Sequence, residues 1–269
     1  MVRRMSGKPT VLKLGGSVIT DKEKQLTPDL KAVERLADEI SRAKIPSLIL
    51  VHGGGSFGHP VAELYNIAGG HADPSQILGF SQTHLVMTLL NSWVMEALIR
   101  HNIPAVEVNP SSCAVTKAGR IANMELEPLK KMLKLGFVPV LYGDAVLDSE
   151  KGFAILSGDQ IVSSLAIKLG ADRIIMGADV DGLYTADPKA DSSANLIENI
   201  TLEELKSLKH KIEGSKATDV TGGMLGKVQE IKIAIEHDIE TVIVNATKPL
   251  RVYKALKGEK VTGTIIEKG

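Results

Sequence analysis

Two lysines, an aspartate and a histidine, each set among glycines, are the residues of this 269-residue chain whose types and spacing suit work on phosphate. They stand in Lys13-Leu-Gly-Gly-Ser17, in His52-Gly-Gly-Gly-Ser-Phe-Gly-His59, in Ser157-Gly-Asp159 and in Thr221-Gly-Gly-Met-Leu-Gly-Lys227. Glycine lets the backbone come close to a ligand and bares its N–H groups, and a helix that follows adds its positive end, so an anion is the natural guest. Each loop alone is an ordinary turn. Four of them, placed after apolar runs, read as one cradle for several phosphates, because in parallel sheets the loops at the carboxyl ends of strands converge.

Two other phosphate motifs fit less well. Gly53, Gly55 and Gly58 satisfy G-x-G-x-x-G, but a dinucleotide fold needs an acidic residue about 20 positions on at the end of a second strand. The chain reads Ala72-Asp73-Pro74-Ser75 there, with no strand before it. A P-loop ending at Gly226-Lys227 fails because Thr221 holds the position of the first glycine and Val228 that of the Ser or Thr.

The elements that must carry these loops alternate: short apolar runs separated by longer amphipathic stretches, the pattern of parallel strands joined by helices in an α/β fold. Strands are expected at Thr10 to Leu14, Ser47 to Val51, Ala105 to Val108, Val138 to Tyr142, Ala154 to Leu156, Arg173 to Met176, Thr241 to Val244 and Gly263 to Ile266. One helix is expected near Thr27 with Pro28 at its first position, a second at Gln82 to His101, and a third at Lys227 to His237. Thr201 and Glu204 have capping-box spacing for a further short helix. The Gln82 to His101 segment is apolar on more than one face, which calls for cover on both sides.

With 43% hydrophobic residues the chain can bury a substantial core. Lysine plus arginine (32) equals aspartate plus glutamate (32), so no basic field exists for nucleic acid. The single cysteine, Cys113, and the absence of an apolar leader or an 18-residue apolar run favour a cytoplasmic protein without a membrane partner.

The glycine segments, together with Leu156-Ser-Gly-Asp-Gln160 and Gly177-Ala-Asp-Val-Asp-Gly-Leu-Tyr-Thr-Ala-Asp-Pro188, resemble the amino acid kinase superfamily from Lys13 to Thr264, and within it the isopentenyl phosphate kinases. The Asp-Gly-Leu-Tyr-Thr run is shared across the superfamily, while the second histidine of the glycine loop, His59, is the narrower signal. The resemblance implies a three-layer αβα sandwich with a mostly parallel central sheet, one continuous fold with ATP on one lobe and the acceptor on the other; a composition shift near Gly143 to Gly152 suggests the division, residues 1–150 forming the phosphoryl-acceptor lobe, which also dimerises, and residues 151–269 the nucleotide lobe. It implies ATP as co-substrate with Mg²⁺, isopentenyl phosphate as acceptor and a homodimer; no dedicated metal cluster is visible.

By the same resemblance, Lys13 and Lys227 reach the transferred and bridging phosphate oxygens, Lys22 steadies the acceptor end, and Asp159 orients the lysines. His59 donates a hydrogen bond to an acceptor that, being a phosphate monoester, needs no proton removed. Gly54 and Gly158 offer N–H groups to the acceptor. Gly15, Gly16, Ser17, Gly55, Asp179, Tyr184, Gly222, Gly223 and Gly226 belong to the nucleotide side. Ile77, Leu78, Phe80, Met87, Leu90 and Ile155 suit an apolar wall for a short isoprenoid tail. His52 reads as structural, and Asp144 and Asp181 are either supporting carboxylates or turn residues. A kinase for another small phosphate or phosphonate, such as fosfomycin, differs only in the acceptor pocket.

Overall fold

The structure, a computed structural model, describes residues 7–186, 191, 193–207 and 224–269. Twelve strands are β1 Thr10–Leu14, β2 Leu48–His52, β3 Ala105–Glu107, β4 Ala114–Lys117, β5 Arg120–Met124, β6 Val138–Tyr142, β7 Asp144–Asp148, β8 Gly152–Leu156, β9 Arg173–Ala178, β10 Asn199–Thr201, β11 Glu240–Asn245 and β12 Gly263–Glu267. The helices used below are α1 Gly16–Ile19, α2 Leu30–Ala43, α3 Gly55–Leu64, α4 Ser75–Arg100, α5 Pro110–Cys113, α6 Glu127–Leu135, α7 Gly158–Leu169, α8 Met224–Glu236 and α9 Arg251–Lys257.

Eight strands make the central sheet in the order β10-β12-β11-β9-β1-β2-β6-β3. Every pairing is parallel except β11 with β12. The central strands β1, β2 and β6 are buried at every residue, which is why they read as mostly apolar runs, with Lys13 and His52 among the buried exceptions. Alternate residues of β1 feed different cores: Val11 packs with Leu129 of α6, Leu165 of α7 and Ile231 of α8, whereas Leu12 packs with Leu36 of α2, Leu90 of α4 and Val252 of α9. Helices therefore cover both faces, giving the three-layer αβα sandwich.

Four further strands form a second sheet, β5-β4-β7-β8. The expected strand at Ala154 to Leu156 exists but lies here, antiparallel to β7. Strands β4, β5 and β7 were not anticipated, since Arg120 and Asn123 in β5 and the flanking Asp144 and Asp148 of β7 interrupt any apolar run.

Three helix starts differ from expectation: α8 begins at Met224, three residues before Lys227, and the other two have a local cause. Helix α2 begins at Leu30, because the Asp29 carboxylate caps it by accepting from Ala32 N at 3.0 Å, while Pro28 pairs back to Thr20. Helix α4 begins at Ser75, seven residues before the expected start. Gly79 disguises this turn: a β-carbon there would lie 2.3 Å from the Tyr65 Cβ, so glycine serves packing and not a break. The capping box does form, with Glu204 N on Thr201 Oγ1 at 3.3 Å and Thr201 N on the Glu204 carboxylate at 2.8 Å.

Candidate active site

The loops after β1, β2, β6 and β8 meet at one cleft of about 630 Å³. Two of them touch backbone to backbone at their glycines, with Thr20 Oγ1 beside the contact accepting from Ser56 N at 3.1 Å. A β-carbon on Gly16 would fall 2.1 Å from Gly55 N, and one on Gly53 would fall 2.7 Å from Gly16 N. Gly55 also has φ of +49°, a conformation that glycine adopts without a steric penalty. Helices α3 and α7 start at this seam, and their first N–H groups lack partners within their own helices.

His59 sits one turn into α3, beside Pro60. Proline cannot donate to the Ser56 carbonyl, and that oxygen instead accepts Leu26 N at 3.1 Å, docking the 20–28 segment over the cleft edge. Burial lowers the pKa of His59, and the positive charges of Lys227 and Lys13 lower it further. A bound phosphate reverses the charge contribution and favours the protonated ring.

Lys13, at the end of β1, is buried and pairs with Asp159 at 2.6 Å; Lys227, on the first turn of α8, approaches the other oxygen of the same carboxylate at 3.6 Å. Burial lowers the Lys13 pKa, the Asp159 charge opposes this, and Lys227 adds to the lowering. Asp159 therefore holds two ammonium groups in one place and favours the charged form of the buried one, against the effect of burial.

Lys13, Gly16, Ser17, Lys22, Gly54, Gly55, His59, Gly158, Asp159 and Lys227 all line the cleft. Gly15 does not; its N–H is taken by Gly177 O at 2.8 Å. Asp179 reaches the cleft through an ion pair with Lys22 and a hydrogen bond with Ser17, so Lys22 contacts a residue expected on the nucleotide side. Tyr184, half-buried, bridges to Leu196, and Gly226 is exposed on α8; neither lines the cleft. Gly222 and Gly223 lie outside the described residues.

Of the expected apolar wall, Met87 and Ile155 line the cleft. Leu90 belongs to the core below α4, and Ile77 and Leu78 face solvent. Phe80 joins Phe153, Tyr65 and Ile155 in a small apolar cluster beside the cleft. His52 is fully buried, stacked on Tyr142 at 5.3 Å and bonded to Asn91 at 3.2 Å, a structural role. Asp181 pairs with Arg251 at 3.1 Å and accepts from Asn245 at 2.9 Å.

Sequence reasoning left Asp144 open and overlooked His84. The two meet at 2.8 Å at the cleft wall, with Asn109 and Ser111 each 3.4 Å from the ring. Burial pushes the Asp144 carboxyl up to about 6, against the pull of His84. Only their separation of 60 residues concealed them. Among the described residues, no three His, Cys, Asp or Glu side chains gather to hold a metal ion.

The amino acid kinase family matches residues 8–245 of the chain. An isopentenyl phosphate kinase of Methanothermobacter thermautotrophicus is 42% identical over 264 residues, covering 95% of this chain and 98% of its own. The chain belongs to the isopentenyl phosphate kinases of the amino acid kinase family. A second member, from Methanocaldococcus jannaschii, is 38% identical over 96% of this chain and 98% of its own. An isopentenyl phosphate kinase crystal structure superposes with a TM-score of 0.84 at 38% identity, covering 96% of this chain and all of that one. Another, solved as a substrate complex, gives 0.75 at 29% identity with 96% and 100% coverage. A glutamate 5-kinase of Lactiplantibacillus plantarum, 26% identical over 98% of both chains, shows the reach of the wider family. The dinucleotide-binding reading of Gly53 to Gly58 falls with this membership. No helix among the described residues is long and apolar enough to cross a membrane.

Proposed function

We propose that this enzyme transfers the γ-phosphoryl group of ATP to isopentenyl phosphate, giving isopentenyl diphosphate and ADP, as its relatives' names describe for them. The observation that carries the reading is the convergence of Lys13, Lys227, Asp159 and His59 on one cleft between glycine loops. Phosphoryl transfer asks the protein for position and positive charge and for little covalent work. Lys13 and Lys227 supply charge at the transferred group, and Asp159 fixes both. His59 and the N–H groups of Gly54 and Gly158 hold the acceptor phosphate, whose oxygen attacks in line without a covalent enzyme intermediate. Asp159 is no base, since the acceptor arrives as an anion and its own oxygens are engaged by lysines.

ATP is placed along the loops carrying Gly15, Gly16, Ser17 and Gly55, with Asp179, Tyr184, Gly222, Gly223 and Gly226 toward its sugar and base. This divides the molecule into an acceptor lobe, 1–150, and a nucleotide lobe, 151–269. Mg²⁺, which neutralises nucleotide phosphates, comes with ATP. The isoprenoid tail lies against Met87, Ile155 and Phe80, where each buried methylene-sized group contributes about 0.8 kcal/mol.

The reading includes a cytoplasmic homodimer. Its support is Leu85, Leu89 and Trp93 of α4, spaced four apart and exposed by 56%, 50% and 40%, a stripe too apolar to remain in water. Light scattering of wild type and of Leu89→Glu tests it: a dimer that becomes a monomer supports it, a wild-type monomer refutes it. The reaction is tested by ADP release with isopentenyl phosphate, fosfomycin and N-acetylglutamate side by side. Turnover of isopentenyl phosphate alone, lost in His59→Ala, is expected; preference for another acceptor overturns the assignment.

A further inference from the structure

The second sheet sends one turn beneath the catalytic helices. Strands β4 and β5 are joined by Ala118 and Gly119, with φ of +51° and +80°, the left-handed pair that a tight two-residue hairpin demands. Asp148 locks that turn by accepting from Gly119 N at 2.7 Å and Ala118 N at 3.2 Å. Gln160, next to Asp159, reaches the same turn, accepting from Ile121 N at 2.7 Å and donating to Gly119 O at 3.1 Å. The rigid hairpin end thus presents Arg120 to α8, where its guanidinium meets Glu230 Oε1 at 2.6 Å.

Glu230 lies three residues after Lys227 on α8, so the two side chains are neighbours on the helix surface. The helix is fixed there by Ser163 Oγ, which donates to the Glu230 carbonyl at 2.7 Å. The second carboxylate oxygen, Oε2, is shielded from solvent and meets no donor among the described residues. A carboxylate so placed seeks a cation, and two flank it: Arg120 from the hairpin and Lys227 three residues back on the helix.

We propose that Arg120 is a positioning residue for phosphoryl transfer: by occupying Glu230, it keeps that carboxylate from Lys227 and leaves Lys227 to Asp159 and the nucleotide phosphates. This rests on the kinase reading for the role of Lys227, but not on which phosphate is the acceptor. Without Arg120, the half-buried Glu230 carboxylate turns to Lys227 and withdraws its charge from the cleft.

The test is a four-member cycle: wild type, Arg120→Ala, Glu230→Gln and the double variant, read as kcat/KM for ATP at saturating acceptor. Arg120→Ala is expected to lower it about three- to tenfold, between the strength of an exposed helical pair and that of a charge-assisted contact. Glu230→Gln alone stays within about twofold of wild type, and adding it to Arg120→Ala restores activity, because the competing carboxylate is gone. Arg120→Lys retains most of the activity. A purely structural strut predicts the opposite, a double variant as impaired as Arg120→Ala, and that result overturns the proposal, as does an Arg120→Ala enzyme with unchanged kinetics. Arg120 is half-exposed, so the fold does not depend on it, and equal melting temperatures across the cycle check this. If wild type rejects isopentenyl phosphate, the same cycle runs with whichever phosphate it accepts, and the two readings fail separately.

Discussion

Replacing Asp159 by asparagine removes one negative charge from between two lysines and leaves the shape of the side chain intact. At 2.6 Å from Lys13 and an effective dielectric near 20, that charge attracts the buried ammonium by about 6 kcal/mol. The contact to Lys227 at 3.6 Å adds less, since that lysine is one-third open to water. Asn and entering water recover part of the loss, so kcat is expected to fall about 10²- to 10³-fold, the range for a preorganised electrostatic group. The pH profile carries the sharper information. Burial already lowers the Lys13 pKa and Asp159 opposes the shift; in the variant nothing does, and Lys227 pushes it lower still. A lysine is charged below its pKa, so activity survives on the acid side and the alkaline limb moves to lower pH. ADP release with isopentenyl phosphate, followed from about pH 6 to about pH 9, reads this directly. An unmoved alkaline limb refutes the argument. Loss of the acid limb alone assigns Asp159 the role of a base, which the geometry opposes.

His59→Ala is expected to cost about 10²-fold in kcat/KM for the acceptor and little in KM for ATP, measured in steady state; an equal loss on both substrates removes His59 from the acceptor side. Gly16→Ala forces a methyl group against Gly55 N and is expected to destabilise the fold by about 1–3 kcal/mol and abolish turnover, whereas Gly226→Ala meets nothing within 4 Å and raises helix stability by about 0.5–1 kcal/mol, both read by thermal unfolding. In the folded chain Asp144 keeps its proton up to about pH 6, while in the unfolded chain it ionises near its ordinary 3.8, so wild-type stability falls between these values as pH rises. Asp144→Asn removes that dependence, and relative to wild type it gains up to about 3 kcal/mol by pH 7; parallel stability curves for the two proteins contradict this.

Much of the site was legible because phosphate chemistry is written in local sequence. A strand, two glycines and a lysine or histidine are consecutive residues, so Lys13, His59, Asp159 and Lys227 could be named one loop at a time, and the resemblance joined them. What local sequence hides is pairing across distance. Nothing near His84 announces Asp144, and nothing near Arg120 announces Glu230, 110 residues away. The second sheet was missed for a related reason: β5 and β7 exist through their partners, and their own residues are too polar or too short to declare a strand. At Gly79 a residue that disfavours helix interiors serves instead to yield space to Tyr65. The apolar wall was over-read on α4, since Leu, Ile and Phe look alike in sequence whether they meet a ligand, a core or a second subunit. Only burial separated Leu90 from Ile77 and Leu78.

The bare contact of Gly16 with Gly53 and Gly55 has a consequence for what the enzyme must refuse. Water is present at far higher concentration than any acceptor and is a competent nucleophile toward ATP. Gly16 and Gly53 abut through main chain, and Thr20 Oγ1, accepting from Ser56 N at 3.1 Å, closes the same seam, so no water fits between the two loops where they touch. With ATP and acceptor as proposed above, the seam would lie between the two phosphates and keep water out on the glycine side. That closeness rests on three hydrogen atoms, one on each glycine, where any other residue carries a β-carbon.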